Sequence, residues 1–196
     1  MSRVEAAAAT RRALLDEAAH LLDDGGPDAV TLREVGARAG VTRGAPYRHF
    51  ADKDSLLTTV AAEGWERLSA NMSALHDGSN ITPAEKLQAA LSDVVTLSRQ
   101  RPRLYQLMFT PPAGDSTALT QAVQRTCDQF LTIVTDVVGA ADAQRYAAIL
   151  LTGTHGAAAL EMSGLLTTAK WHTTAEELTA SIIAVIHQTS GGVQKG

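Results

Sequence analysis

The sequence predicts an all-α protein, on three observations. Hydrophobic residues make up 45% of the chain and aromatic residues only 4%. The core must therefore be Ala, Leu, Val and Ile, a composition that suits close-packed helices. Apolar residues recur at spacings of three and four along most of the chain. No segment alternates convincingly with period two, and no internal repeat is visible. A length of 196 residues suits a small head fused to a larger body.

The elements follow in order. Residues 5–24 read as a helix, with Ala9, Ala13, Leu14, Ala18, Leu21 and Leu22 on one stripe. Asp24-Gly25-Gly26-Pro27 stops it. Thr31, with Glu34 three places on, is a capping box for a short helix over 31–39 that Gly40 ends. Thr42 caps a second short helix through His49. Inside it Pro46 removes an amide and restricts Ala45, so this helix is expected to begin tightly wound or late. Asp52, with Ser55, caps a long helix over 52–76 that carries Leu56, Leu57, Val60, Ala61, Trp65, Leu68 and Met72.

His76-Asp77-Gly78-Ser79-Asn80 is a polar break. Thr82, Pro83 and Glu85 start the next helix, which ends near Arg101-Pro102. A short helix is expected over Arg103–Phe109, then a linker at Pro111-Pro112-Ala113-Gly114. Helices over 115–139, 142–166 and 173–190 follow, and the SGGVQKG tail is expected to be disordered. The total is about nine helices: a head at 1–50 and a body at 51–196, joined by the 52–76 helix.

Charge narrows the function. The formal net charge is −4, which by itself argues against a polyanion partner. The distribution of that charge points the other way. Residues 31–50 hold Arg33, Arg38, Arg43 and Arg48 against Glu34 alone, a net of +3, while 1–30 and 51–196 carry −3 and −4. Positive charge focused in one window of an acidic chain points to polyanion binding through one face.

Other classes are excluded. No apolar run approaches the roughly 20 residues of a membrane span. The charged first segment predicts no signal peptide, and a cytoplasmic protein is expected. Cys127 is the only cysteine, so no intramolecular disulfide can form. No basic cluster flanks it in sequence, which favours a small buried hydrophobe over a reactive thiol. A Gly-rich phosphate loop, metal-ligand spacing and a nucleophile elbow are all absent from the sequence, and the six histidines are scattered. No enzyme, metal or cofactor is expected.

The window 31–57 carries the functional signal. Two short helices flank a tight turn at Ala39-Gly40-Val41, where glycine lets them cross steeply. Leu32, Val35, Ala39 and Val41 would face the first helix. The second helix has almost no large aliphatic residue to hold it, and is rich in donors: Thr42, Arg43, Tyr47, Arg48 and His49. The hydroxyls of Thr31 and Thr42 suit phosphates, and Arg43 is placed to reach a guanine edge. Lys53 opens the next helix against the helix dipole, a conflict that a phosphate would resolve. On spacing alone, a solvated charged face accounts for the window equally well.

The window resembles the DNA-binding domain of the tetracycline-repressor (TetR) family. The match runs through Thr31, Val35 and Ala39-Gly40-Val41 to Gly44-x-x-Tyr47-x-His49-Phe50-x-x-Lys53-x-x-Leu56. The resemblance implies that Thr31, Thr42, Tyr47, His49 and Lys53 hold phosphates, and that Arg33, Arg43 and Ala45 lie nearest the bases. Gly44 belongs to the same surface, either role is open to Arg48, and Phe50 and Leu56 would be core.

The C-terminal half resembles a branch of that family marked by a Trp-His-Gly triplet. Here the triplet reads Thr154-His155-Gly156, after LYQLMFTPP at 104–112. The resemblance implies a body that binds a small molecule and pairs with a second subunit. Trp65, Met72, Tyr105, Met108, Phe109, Cys127, Phe130 and His155 are the candidate ligand contacts, each with plain core packing as the rival reading. His155 is the better suited of these to a satisfied interior role. Small residues around 153–159 would allow a close helix approach, and the last helix carries a wide apolar stripe. Gly153, Gly156, Ala157, Leu160, Leu178, Ile182, Val185 and Ile186 are the candidate dimer contacts. The expectation is a homodimeric repressor released from operator DNA by an unidentified small-molecule effector. The alternatives are a ligand-responsive activator and an architectural DNA binder.

Overall fold

The computed structural model describes residues 2–78, 80–112 and 116–193, side chains through 188. Among the described residues there are ten α-helices and no strand: α1 (Arg3–Gly25), α2 (Leu32–Arg38), α3 (Pro46–His49), α4 (Lys53–Asp77), α5 (Pro83–Gln100), α6 (Pro102–Met108), α7 (Thr117–Val138), α8 (Ala143–Met162), α9 (Thr168–Trp171) and α10 (Ala175–Val193). A 3₁₀ turn, Pro27–Ala29, separates α1 from α2.

The caps predicted at Thr31, Asp52 and Thr82 form. The Thr31 hydroxyl accepts from the Glu34 amide at 3.1 Å. Glu34 does not reach back to close the box; its Oε1 lies 3.5 Å from Arg38 Nε. Asp52 Oδ1 accepts from the Ser55 amide at 2.7 Å. At α5 the box is complete: Glu85 N donates to Thr82 Oγ1, and Thr82 N donates to Glu85 Oε2 at 2.7 Å. Those bonds to Thr82 hold the Glu85 carboxyl below its usual range.

Three expectations change. First, the helix expected over 42–49 is only Pro46–His49, and Thr42 does not cap it with its side chain. Pro46 has no amide to give the Thr42 carbonyl, so that carbonyl takes Ala45 N at 2.9 Å and the entry is a tight turn. Second, the helix expected over 142–166 ends at Met162, and the additional helix α9 follows. Gly164, at φ +73°, closes a Schellman motif in which Leu165 N donates to Leu160 O and Gly164 N to Glu161 O. Third, the apolar stripe of α1 begins late: Ala9 is exposed, whereas Leu15 is 1% exposed and joins the core. The linker expected at Pro111–Gly114 falls partly outside the described residues. Of the expected tail, residues 190–193 are helical in α10 and 194–196 lie outside the description.

Two compact units are separable by contacts: Met1–Trp65 with Arg101–Val123, and Glu66–Gln100 with Gln124–Gly196. Helices α4 and α7 cross the division. In the first unit, α1 packs on α2, α3 and α6. Leu14, Leu22, Val30, Val35 and Leu56 there are fully buried. Arg101 ties the start of α6 to Asp23 of α1 at 2.7 Å. In the second unit, α8 packs on α5 and α10 around Leu87, Leu91, Ile133 and Leu150.

Candidate nucleic-acid interface

Helix α2 ends as the sequence predicts. Gly40, at φ +66°, lets Val41 N reach Gly36 O and Gly40 N reach Ala37 O. The chain then turns into α3. What pins α3 is a contact the sequence did not suggest. Pro46 is buried, and a Cβ added at Gly36 would lie 2.6 Å from its Cγ. The proline that delays the helix therefore also anchors it, through a glycine on α2. Phe50, 4% exposed, closes the far end under the Arg11 guanidinium, 5.3 Å from the ring centroid. Phe50 and Leu56 are core, as the resemblance implied.

This anchoring leaves the polar residues outside. Thr31, Arg33, Thr42, Arg43, Gly44, Tyr47 and Arg48 are exposed, and Ala45, His49 and Lys53 are half-buried. Tyr47 is 59% exposed, unusual for a large aromatic side chain. Arg33, Arg43 and Tyr47 line one concavity of about 380 Å³ between α2 and α3, floored by Gly36, Val41 and Pro46. Arg48 and His49 do not line it.

Electrostatics sort the basic residues. Arg38 sits 3.5 Å from both Asp24 and Glu34, so its charge is locally met. Among the described residues Arg33, Arg43 and Arg48 have no carboxylate partner. Lys53 Nζ lies 3.8 Å from the fully exposed Asp28, a loose pair that offsets its unfavourable place at the start of α4. The Thr31 hydroxyl accepts in the α2 cap and keeps its proton to donate. The surface thus offers unspent guanidiniums, an aromatic hydroxyl and a free donor on one side of a helix pair.

The candidate ligand residues fall into two groups. Trp65, Tyr105, Met108 and Phe109 meet in the first unit. The Trp65 and Phe109 centroids are 5.1 Å apart, those of Tyr105 and Phe109 4.8 Å, and Trp65 Nε1 donates to the Met108 carbonyl at 3.2 Å. Burial pushes the Tyr105 hydroxyl up to about 12. Met72 and Phe130 belong to the second unit's core, and His155 is half-buried on α8. Cys127 is exposed, not the buried residue expected. Partial desolvation of its sulfur and the nearby Asp128 both hold the thiol above its usual range, so it remains protonated.

The candidate dimer residues also divide. A Cβ at Gly153 would lie 2.6 Å from Ile182 Cδ1, so that glycine serves close packing of α8 on α10 within the chain. Ala157 and Ile186 are buried, and Leu178 and Ile182 pack half-buried against the core. Gly156 faces open space. Leu160 is 47% exposed and Val185 60%, joined by Ile149 at 47%, which sequence reasoning missed. Ile149 lies one heptad before Gly156 and so on the same stripe, a signal the sequence did contain.

Comparison with known proteins distinguishes an N-terminal and a C-terminal region. Residues 14–60 match the family described as bacterial regulatory proteins, tetR family. Residues 87–186 match the tetracyclin repressor-like C-terminal domain. The chain is 41% identical over 63 residues to the HTH-type transcriptional repressor Rv1474c of Mycobacterium tuberculosis, covering 32% of this chain and 34% of that protein. It is 34% identical over 98 residues to the HTH-type transcriptional repressor KstR of Rhodococcus jostii, covering 50% and 45%. The match thus spans about a third to a half of these relatives. A protein of unknown function from Rhodococcus sp. RHA1 superposes with a TM-score of 0.76 at 26% identity over 92% of this chain and 94% of that one. Bacillus subtilis FadR, solved with stearoyl-CoA, has the same fold, with a TM-score of 0.58 at 15% identity over 89% and 96%. With the C-terminal match covering more than half of its length, the chain belongs to the tetR family of bacterial regulatory proteins.

Proposed function

We propose that this chain is a homodimeric DNA-binding repressor that leaves its operator when a small molecule binds. The observation that carries the reading is the shared face of Arg33, Arg43 and Tyr47, with neither guanidinium paired to a carboxylate among the described residues, beside a helix pinned at Pro46. Arg43 and Arg33 read bases, with Ala45 close by. Thr31, Thr42, Gly44, Tyr47, His49 and Lys53 hold phosphates, and Arg48 serves either role. Residues 1–50 form the DNA-docking region, extended by Lys53 at the start of α4, and 51–196 are otherwise the regulatory one. Relatives named as transcriptional repressors support this and give an enzyme no footing. A protein that acts on operator DNA works in the cytoplasm.

Pairing through α8 and α10 is supported by the exposed Ile149, Leu160 and Val185 around the open Gly156. Two heads then span half-sites roughly 34–36 Å apart or somewhat more. The effector contacts are the Trp65, Tyr105, Met108 and Phe109 cluster, with Met72, Cys127, Phe130 and His155 as further candidates. The His155-Gly156 pair also supports the Trp-His-Gly branch.

The test is operator binding by fluorescence anisotropy across a salt series. Arg43→Ala should cost about 1–3 kcal/mol on the operator and flatten discrimination against random DNA. Lys53→Ala should weaken both DNAs alike and lower the salt slope by about 1. Wild-type binding by both variants would reject the docking scheme.

A further inference from the structure

Lys53 is not a free cation. Its Nζ lies 3.8 Å from Asp28 Oδ1, and among the described residues no other carboxylate comes within ion-pair distance of it. Asp52, next to Lys53 in sequence, is engaged by the Ser55 amide at 2.7 Å. Asp28 is remote in sequence and belongs to the 3₁₀ turn Pro27–Ala29. That turn is held firmly. Pro27 restricts its first φ, Ala29 N donates to Gly26 O at 3.1 Å, Val30 N donates to Pro27 O at 3.2 Å, and Val30 is fully buried.

The backbone of Asp28 is thus fixed, while its side chain is fully exposed and has Lys53 as its one partner among the described residues. An exposed aspartate in a turn ordinarily serves turn chemistry alone. This one stands three residues before Thr31 and meets Lys53, and the docking scheme gives a phosphate to each of those two. A phosphate that reaches Lys53 has to displace the carboxylate. Asp28, fixed in place, then lies close to the phosphate as a like charge. Both effects oppose binding, and both are strongest at low salt. A carboxylate beside Lys53 also cancels part of the counterion release that Lys53 would otherwise drive.

We propose that Asp28 is a built-in competitor for the DNA phosphate at Lys53. It lowers affinity for DNA of any sequence, because the contact it opposes carries no base information. The proposal rests on the docking of Lys53 on a phosphate, and it adds an opposing residue that the docking scheme does not contain. Asp28 is a positioning residue: it acts on DNA through Lys53.

The test is fluorescence anisotropy of the full chain on a labelled duplex of random sequence, over roughly 50–200 mM sodium chloride. Random sequence suffices because the effect is independent of sequence. Asp28→Asn should bind about two- to fivefold more tightly at the lowest salt, the range that one exposed ion pair can supply. Its plot of log affinity against log salt should be steeper by up to about 1. Asp28→Ser, which also lacks the charge, should do the same. Placed in Lys53→Ala, the Asp28→Asn change should give less than half of that gain on a logarithmic scale. Unchanged or weaker binding by both Asp28 variants overturns the proposal. So does an equal gain with and without Lys53, which would reduce Asp28 to a general surface charge. The two readings fail separately. If Lys53→Ala binds like the wild type, the phosphate role of Lys53 falls and the competitor falls with it. If Lys53→Ala binds more weakly while the Asp28 variants gain nothing, the competitor alone falls.

Discussion

Two glycine-mediated contacts carry the head and the body, and they differ in kind. At Gly36 an added Cβ would meet the ring of Pro46 at 2.6 Å; at Gly153 it would meet the Cδ1 tip of Ile182 at the same 2.6 Å. A proline ring is part of the backbone cycle and cannot rotate away, whereas an isoleucine tip can change rotamer. Helix α3 has four residues, and this rigid contact holds its start while the buried Phe50 closes its end. Helix α8 has 20 residues and is held along its length by α5 and α10. The head is thus precise and brittle, while the body is tolerant and leaves an apolar face to spare.

That contrast can be broken by experiment. Val185→Glu has the largest expected effect: a charge on the exposed α8–α10 face should convert the dimer to monomer in sedimentation velocity and lower operator affinity by orders of magnitude. A dimer that survives Val185→Glu and also Leu160→Glu would move the interface elsewhere. Gly36→Ala comes next. Overpacking against Pro46 should cost about 1–3 kcal/mol and show as a lower Tm together with weaker operator binding. An unchanged Tm would mean that Pro46 is not the anchor.

Gly153→Ala sharpens the comparison from the other side. Alanine gains up to about 1 kcal/mol of helix propensity over glycine, which offsets the rearrangement of Ile182, so the measured change in Tm should be clearly smaller than for Gly36→Ala. A larger loss at 153 than at 36 would reverse the ranking. The smallest effect is expected at Thr154. Its Oγ1 is buried without a hydrogen-bond partner among the described residues, so Thr154→Val should be neutral or raise stability by about 1 kcal/mol in chemical denaturation. Marked destabilisation would show that the hydroxyl has a structural role.

The two helix ends built on Schellman motifs show how far a sequence can be read. Gly40 stands between polar, donor-rich segments, and its role as a stop was legible. Gly164 does the same with nearly the same geometry, φ +73° against +66°, but sits in Glu-Met-Ser-Gly-Leu-Leu. Flanking leucines continue the apolar pattern across it, so periodicity hid the stop and with it α9. Likewise, the charge window announced the polar face at 31–50, but only geometry distinguished Arg38, met by Asp24 and Glu34, from the unpaired Arg33 and Arg43.

The sequence by itself determined the helical class, most helix boundaries, the caps at Thr31, Asp52 and Thr82, and the location of the polar head surface. Those features depend on residues within a turn or two of each other, where spacing and side-chain chemistry suffice. Tertiary structure decided what lies opposite what: Pro46 against Gly36, Ile182 against Gly153, and Arg103 against Gly26. These are contacts between helices distant or irregular in sequence, and their energies come from packing and burial, to which local pattern is blind.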